Sequence, residues 1–196
     1  MRASRPNFIV GIGGSAGGLV AYKALFDAMP SNTGMAFVVI SHLLPAAHSA
    51  LANILSRHTK MPVLVALMAM PVEANHVYVI APNEDLLIEN YAFKVSSRTG
   101  RNKQVDLFLI SLAEAMGARA IGIILSGYDG DGTEGCRQIK AKGGATFAQD
   151  MSAEVEEMSL SAQASGSIDF VLPPDKIPRE LRRLASQLKI TEPGAV

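Results

Sequence analysis

Ser15 stands in a glycine-rich turn whose spacing suits two kinds of chemistry. An apolar run at 8–12 precedes the turn and helical spacing follows over 19–26, which predicts a strand, a tight turn and a helix. Residues 13–17 fit the Gly-x-Ser-x-Gly nucleophile elbow, which exposes a serine hydroxyl above a sheet. Residues 11–16 fit the looser Gly-x-Gly-x-x-Ala dinucleotide fingerprint. A glycine-rich turn without chemistry is the third interpretation.

The residues that follow the turn weaken the nucleotide interpretation. A dinucleotide site places an acidic residue about 20 residues further on, where it binds the ribose. No Asp or Glu occurs between Asp27 and Glu73, and the predicted second strand ends instead in Ser41 and His42. A mononucleotide P-loop is excluded because no Gly-Lys-Ser/Thr follows the glycines.

His42 supports the nucleophile interpretation. A serine hydroxyl needs an adjacent base at neutral pH, and imidazole has a suitable pKa. If the first two strands are neighbours in a parallel sheet, Ser15 and His42 open onto the same crevice. His48, His58 and His76 lie in or beside a predicted helix or before a strand, so structural roles suit them better.

A carboxylate that orients the imidazole would complete a catalytic triad. Asp129 and Asp131 both follow a buried predicted strand at 120–125, and position alone does not separate them. A calcium loop starting at Asp129 fails, because Glu134 stands where the invariant glycine is needed and Lys140 where the bidentate glutamate is needed. We therefore expect no metal site here.

Composition bounds the class of protein. The chain has 196 residues, of which 48% are hydrophobic, and this predicts one globular domain over 1–196 with flexible ends at 1–6 and 190–196. The formal net charge of zero gives no electrostatic case for nucleic acid or an anionic membrane. Cys136 is the one cysteine, so an internal disulfide is excluded and a core role is expected. With neither a membrane-length apolar run nor a signal-peptide core, a cytoplasmic protein is expected.

Strand and helix patterns alternate along the chain. They predict an α/β fold, a doubly wound and mostly parallel sheet with helices on both faces. A small antiparallel hairpin is predicted over 86–95. The other predicted strands are 35–40, 61–65, 75–81, 120–125, 145–148 and 168–172, and the predicted helices are 46–58, 105–116, 133–142, 152–164 and 174–188.

Six stretches carry a resemblance to a known family. They are 10–18, 37–43, 75–82, 105–108, 123–133 and 148–150. In these stretches, and in their order from about residue 7 to residue 184, the chain resembles the catalytic domain of the CheB-type protein-glutamate methylesterases of bacterial chemotaxis.

The resemblance implies specific roles. It assigns the catalytic serine, histidine and aspartate to Ser15, His42 and Asp131, and so selects Asp131 over its neighbour. Backbone N–H groups near Ala16 and Tyr128 would bind the oxyanion. The implied reaction is hydrolysis of glutamyl γ-methyl esters on receptor helices, with deamidation of glutamines by the same attack and no cofactor. The implied partners are methylated chemotaxis receptors, through which alone the protein would meet a membrane, and a receiver or methyltransferase domain.

Departures from the family pattern surround the proposed triad. Ala16 replaces a usual threonine, Tyr128 a usual methionine and Ser41 a usual glutamine, while Glu-Met-Ser at 157–159 replaces Gly-Met-Pro. The family's receiver domain is not in this chain. The alternative is therefore a catalytically weak, methylesterase-like binding module in a sensory signalling complex. A nucleotide-binding domain is the third hypothesis.

Overall fold

A computed structural model describes residues 4–41, 45–98 and 103–191, and a parallel sheet organises them. The strands are β1 (Ile9–Gly14), β2 (Ala36–Ser41), β3 (Val63–Val65), β4 (His76–Val79), β5 (Glu84–Glu89), β6 (Ala92–Ser97), β7 (Ala120–Ile124), β8 (Ala145–Gln149) and β9 (Phe170–Leu172). The helices are α1 (Gly18–Asp27), α2 (Pro45–Leu55), α3 (Gln104–Met116), α4 (Thr133–Ala141), α5 (Glu157–Ala164) and α6 (Ile177–Thr191). A short 3-10 turn, Gly117–Arg119, joins α3 to β7.

The order of the strands places the site. Seven strands form the sheet in the order β3-β4-β2-β1-β7-β8-β9, and all the pairs are parallel. The chain proceeds from β1 to one side of the sheet and returns with β7 on the other. The crevice at this switch is where ligands bind in open α/β sheets. The carboxyl ends of β2, β1 and β7 therefore lie side by side.

Apolar side chains cover both faces of the sheet, which explains the continuous apolar strands. Along β1, Ile9 points into one core cluster, and Val10 and Ile12 point into the other. Buried residues of α3, α4, α5 and the β5–β6 hairpin complete the first cluster, and buried residues of α1, α2 and α6 complete the second. The predicted doubly wound fold with helices on both faces is confirmed.

The predicted antiparallel hairpin is also confirmed. Strands β5 and β6 pair from Glu84 with Ser97 to Glu89 with Ala92. Asn90 and Tyr91 form the two-residue turn, and their φ angles are 50° and 60°. Two positive φ angles in succession are those of a type I′ turn, whose twist matches that of the strands.

Several predicted boundaries were wrong, as in the helix predicted over 46–58, which spans Pro45–Leu55, and the helix predicted over 174–188, which spans Ile177–Thr191. Helix α5 begins at Glu157 rather than at residue 152, because the amide and hydroxyl of Ser152 both donate to Asp150 Oδ1, at 3.1 and 2.6 Å, in a local turn. The glycine-rich turn begins at Ser15, because β1 continues through Gly14. Residues 1–3 and 192–196 of the expected flexible ends lie outside the described residues, and flexibility at the ends stays a prediction.

Candidate active site

Ser15 lies at the carboxyl end of β1, directly against the loop that follows β7. Its amide donates a hydrogen bond of 2.9 Å to the carbonyl of Ser126, and its own carbonyl accepts one of 3.0 Å from the Gly18 amide. A Cβ at Gly127 would lie 3.0 Å from the Ser15 Cβ. The half-buried serine is therefore held between the turns after two neighbouring strands.

Gly17 completes the strand–turn–helix unit. Its φ of 72° lies in the left-handed region that favours glycine. A Cβ at this position would lie 2.5 Å from Ser126 Oγ and 2.7 Å from Glu154 Cβ. Both the backbone conformation and the space require glycine here, so the turn can pack under the segment that follows β8.

The earlier glycines of the motif serve packing. A Cβ at Gly11 would lie 2.5 Å from Leu109 Cδ2, and one at Gly13 would lie 2.4 Å from Val105 Cγ1. Both positions lie within β1, and α3 crosses them at close range. The side chains of α3 occupy the space beside these two glycines, so the match to the dinucleotide fingerprint has a structural explanation.

Asp131 lies at the amino end of α3. The residue is 2% exposed. Oδ2 accepts the Val105 amide at 3.0 Å, and Oδ1 accepts the Asp106 amide at 2.9 Å. Asp129, by contrast, is exposed, has a φ of 61° and accepts the Asp131 amide through Oδ1 at 3.1 Å. The two aspartates thus differ in burial and in hydrogen bonding, and the catalytic role of Asp131 stays a prediction.

Asp106, in α3, makes a contact in the other direction, with the start of α4. Its Oδ1 accepts the amides of Gly132 at 2.9 Å and Gly135 at 2.8 Å, at the start of α4. Burial raises the pKa of Asp106, and the negative charge of Asp131 adds to this, while the Gly135 hydrogen bond opposes it. The loop that carries Asp131 is therefore tied to α3 in both directions.

Two amides, those of Ala16 and Tyr128, are the candidates for binding an oxyanion. Within the described residues, the backbone hydrogen bonds of the two turns use the amides of Ser15, Gly18 and Gly127 but neither that of Ala16 nor that of Tyr128. The Tyr128 side chain is 57% exposed and stands at the rim. Donors without a backbone partner at this edge suit a negatively charged oxygen.

His42 lies outside the described residues. Ser41, which precedes it in the chain, ends β2 and pairs in register with Gly14 of β1. Contacts between His42 and either Ser15 or Asp131 therefore stay a prediction. Two other histidines have partners of their own: His58 Nδ1 lies 2.9 Å from Asp27 Oδ1, and His76 Nδ1 lies 2.9 Å from the carbonyl of Ala74. The side chain of His48 also lies outside the described part.

A sequence profile described as CheB methylesterase matches residues 10–181. The chain belongs to the CheB methylesterase family. The crystal structure of the Thermotoga maritima CheB methylesterase catalytic domain superposes with a TM-score of 0.85 at 30% identity, covering 90% of this chain and 98% of that one.

Two curated members of the CheB methylesterase family differ in length. A protein-glutamate methylesterase/protein-glutamine glutaminase 3 of Burkholderia orbicola is 33% identical over 183 residues, 90% of this chain and 54% of that protein. A putative protein-glutamate methylesterase/protein-glutamine glutaminase of Leptospira interrogans is 31% identical over 178 residues, 88% of this chain and 92% of that protein. The chain thus spans about half of the first relative and most of the second.

Sequence reasoning missed the buried contacts that assemble this candidate site. The Ser126 hydroxyl donates to the Ala16 carbonyl at 2.7 Å and accepts the Val155 amide at 3.0 Å. Gln149 Oε1 accepts the Ser126 amide at 3.0 Å. The available signal was the Ala-Gln-Asp stretch at 148–150, whose polar residues follow a buried strand.

Residues 155–158 hold the other side of the β7 loop. The Gly127 amide donates to the carbonyl of Val155 at 3.0 Å, and the Gly127 carbonyl accepts the Met158 amide at 2.9 Å. A Cβ at Gly127 would lie 2.6 Å from the sulfur of Met158, which is fully buried. The loop that contains Tyr128 is thus held in place by the segment at 155–158.

Two further features bear on function. Among the residues with described placement, no three His, Cys, Asp or Glu side chains form a group that could hold a metal ion. None of the described helices has both the length and the apolarity needed to span a bilayer.

Proposed function

We propose that the chain is a serine esterase that hydrolyses glutamyl γ-methyl esters in proteins and deamidates glutamines by the same route. The observation that carries the proposal is the direct contact between the turn of Ser15 and the loop leading to the buried Asp131, at the carboxyl ends of adjacent strands. The names of the curated relatives, which pair methylesterase with glutaminase, support both activities.

The proposed reaction proceeds through an acyl-enzyme. Ser15 Oγ attacks the γ-carbonyl carbon while His42 takes the hydroxyl proton. The tetrahedral intermediate collapses, and His42 gives its proton to the departing methoxide, or to the departing amine when the substrate is glutamine. Water, deprotonated by His42, then attacks the acyl carbon, and Ser15 leaves with the proton returned from His42.

Asp131 and two backbone amides provide the electrostatic support in this scheme. Asp131 holds His42 in the required tautomer and stabilises the imidazolium. Its burial and its two backbone hydrogen bonds fix the position of the carboxylate. The amides of Ala16 and Tyr128 bind the oxyanion, and such a donor contributes about 3–4 kcal/mol in other acyl-transfer sites.

The proposed substrate is a helix of a methylated chemotaxis receptor. A glutamyl ester within a protein is the substrate class that the relatives' names specify. A cytoplasmic location and a receiver or methyltransferase domain as partner belong to the same proposal.

Methanol release from methylated receptor, together with labelling by a serine-directed phosphonate, tests this function. We expect the label on the peptide that contains Ser15, and we expect Ser15→Ala to lose label and methanol release by several orders of magnitude. Ser186→Ala, at an exposed serine of α6, is the matched control and should keep both. A label placed elsewhere would overturn the mechanism. Labelling of Ser15 without methanol release from any receptor would overturn the proposed substrate.

A further inference from the structure

Two buried carboxylates cap each other's helices beside the proposed site. Asp131, in the loop before α4, accepts the Val105 and Asp106 amides at the start of α3. Asp106, in the first turn of α3, accepts the Gly132 and Gly135 amides at the start of α4. Both residues are at most 5% exposed. The exchange links two helices whose starting residues are about thirty positions apart in the chain.

Neither helix has a capping side chain at its own N-cap. Lys103 precedes α3 and Gly132 precedes α4, and neither makes a side-chain cap hydrogen bond. The first amides of a helix have no intrahelical acceptor and need one from elsewhere. Each carboxylate supplies it to the other helix, where the helix dipole also favours a negative charge.

The contact from Asp106 falls next to the proposed catalytic carboxylate. Gly132, whose amide Asp106 accepts, follows Asp131 directly in the chain. Gly132 has a φ of 95°, and a Cβ there would lie 2.5 Å from Ile124 Cδ1 and 2.7 Å from Val105 Cγ1. The backbone at Asp131 is therefore confined by packing and anchored by Asp106.

We propose that Asp106 is a positioning residue of the esterase reaction that acts through Asp131. It touches neither the ester nor Ser15, and it sets where the Asp131 carboxylate lies. The catalytic part of this inference rests on the proposed function, whereas the placement of Asp131 by Asp106 does not.

Two substitutions of Asp106 distinguish the role of its acceptor oxygen from the role of its negative charge. Asp106→Asn keeps an oxygen for the Gly132 and Gly135 amides but loses the negative charge, and with it the partly buried pair with Lys103 at 3.4 Å. Asp106→Ala removes the acceptor. We expect Asp106→Asn to stay within about fivefold of the wild-type kcat, and Asp106→Ala to lose about 100-fold in kcat with KM little changed, the cost of a small misplacement.

The double substitution tests the route through Asp131. If Asp106 acts only through Asp131, Asp106→Ala should lower kcat less than about threefold once Asp131→Asn is present, because groups that act as a unit are not additive. A full second loss of about 100-fold would overturn the proposal. Failure of Asp106→Asn to retain activity would also contradict it, because the acceptor oxygen is kept.

Amide hydrogen exchange tests the placement of Asp131 by Asp106 without any measurement of enzyme activity. The Val105 amide lies in the first turn of α3 and donates to Asp131. We expect its protection to fall at least tenfold in Asp106→Ala and to be kept in Asp106→Asn, with Leu112 in the middle of α3 protected in both. Unchanged protection of Val105 in Asp106→Ala would overturn the proposal even if the chain has no esterase activity. If the wild type shows no turnover but the Val105 amide loses protection in Asp106→Ala, only the proposed function would be overturned.

Discussion

The hydroxyl of Ser126 donates a hydrogen bond of 2.7 Å to the carbonyl of Ala16, a residue 110 positions earlier in the chain. The same hydroxyl accepts the Val155 amide at 3.0 Å. One buried side chain thus joins the turn of Ser15, the loop after β7 and the segment before α5. Together with backbone hydrogen bonds between the same segments, it fixes their relative placement.

Ser126→Ala should reduce both stability and reactivity. Loss of the hydroxyl leaves the partly buried Ala16 carbonyl and Val155 amide without this partner, which costs about 1–3 kcal/mol. Because the Ala16 peptide loses its anchor, the rate of phosphonate labelling at Ser15 should fall about tenfold or more. Urea denaturation and labelling kinetics measure the two effects.

Ser111→Ala is the matched control for this change. Its hydroxyl also donates to a carbonyl, that of Phe108 at 2.8 Å, and accepts an amide, that of Ile88 at 3.1 Å. A comparable stability loss with an unchanged labelling rate is expected. Equal slowing in both variants would mean that Ser126 acts only through global stability.

Gly17→Ala and Gly166→Ala have almost the same backbone strain in different surroundings. Their φ angles are 72° and 73°, but a Cβ meets nothing within 4 Å at Gly166 and lies 2.5 Å from Ser126 Oγ at Gly17. Gly166→Ala should cost only the left-handed conformation, about 1–2 kcal/mol, and keep full activity. Gly17→Ala should cost more and lower kcat at least 100-fold, as measured by thermal melts and ester hydrolysis. Equal losses of stability would show that the contacts of Gly17 carry no energy.

Gly11→Ala and Gly13→Ala add a methyl group at two positions of β1 that face different turns of α3. Each places a Cβ against the helix, at Leu109 and at Val105, and overpacking of this kind typically costs about 1–3 kcal/mol. Only Val105 lies in the turn that donates to Asp131. We expect both variants to melt earlier, and Gly13→Ala alone to lose kcat beyond its loss of folded protein. A larger catalytic loss in Gly11→Ala would contradict this.

Because the pKa of Asp106 is raised in the folded state, the free energy of unfolding should depend on pH. Burial, its main cause, favours the protonated carboxyl in the folded state. The folded chain therefore binds the proton more tightly than the unfolded chain, and stability falls as pH rises from about 4, the ordinary aspartate value, through the raised one. Relative to Asp106→Asn, which does not ionise, the wild-type Tm should decline across that window and then level off.

Melting curves between pH 4 and 8 measure this difference. Asp175→Asn, which removes an exposed carboxylate that pairs with Lys176, controls for the loss of one charge. A wild-type Tm that rises relative to Asp106→Asn through the window would contradict the sign.

The fold could be predicted because its signals are local. The apolar run at 35–40 became β2, and the turn at Asn90 and Tyr91 separates two β-rich runs. The start of α5 could not, since helix-forming residues before Glu157 are held in another conformation by distant groups. Val155 shows this, because its amide and carbonyl are bonded to Ser126 and Gly127.

The positions of Ser15 and Asp131 at the ends of neighbouring strands could be predicted, but the contacts that support them could not. Ser15 and Asp131 follow strands that the pattern locates, and β1 and β7 are neighbours. The exchange between Asp106 and Asp131 depends on the crossing of α3 over β1, which no local pattern encodes. A buried aspartate at a helix start has the same sequence appearance as an ordinary first-turn acidic residue.

The strand order has a consequence for synthesis of the chain. Strand β1 gains its second neighbour only with β7, at Ala120–Ile124, and the Ser15 amide finds its acceptor only at Ser126. Until residues 120–124 have emerged from a ribosome, the strand that carries the serine has an open edge. Ser15 is therefore synthesised about 110 residues before the acceptor of its amide, so a product truncated before Ser126 would carry the serine without the loop that holds it.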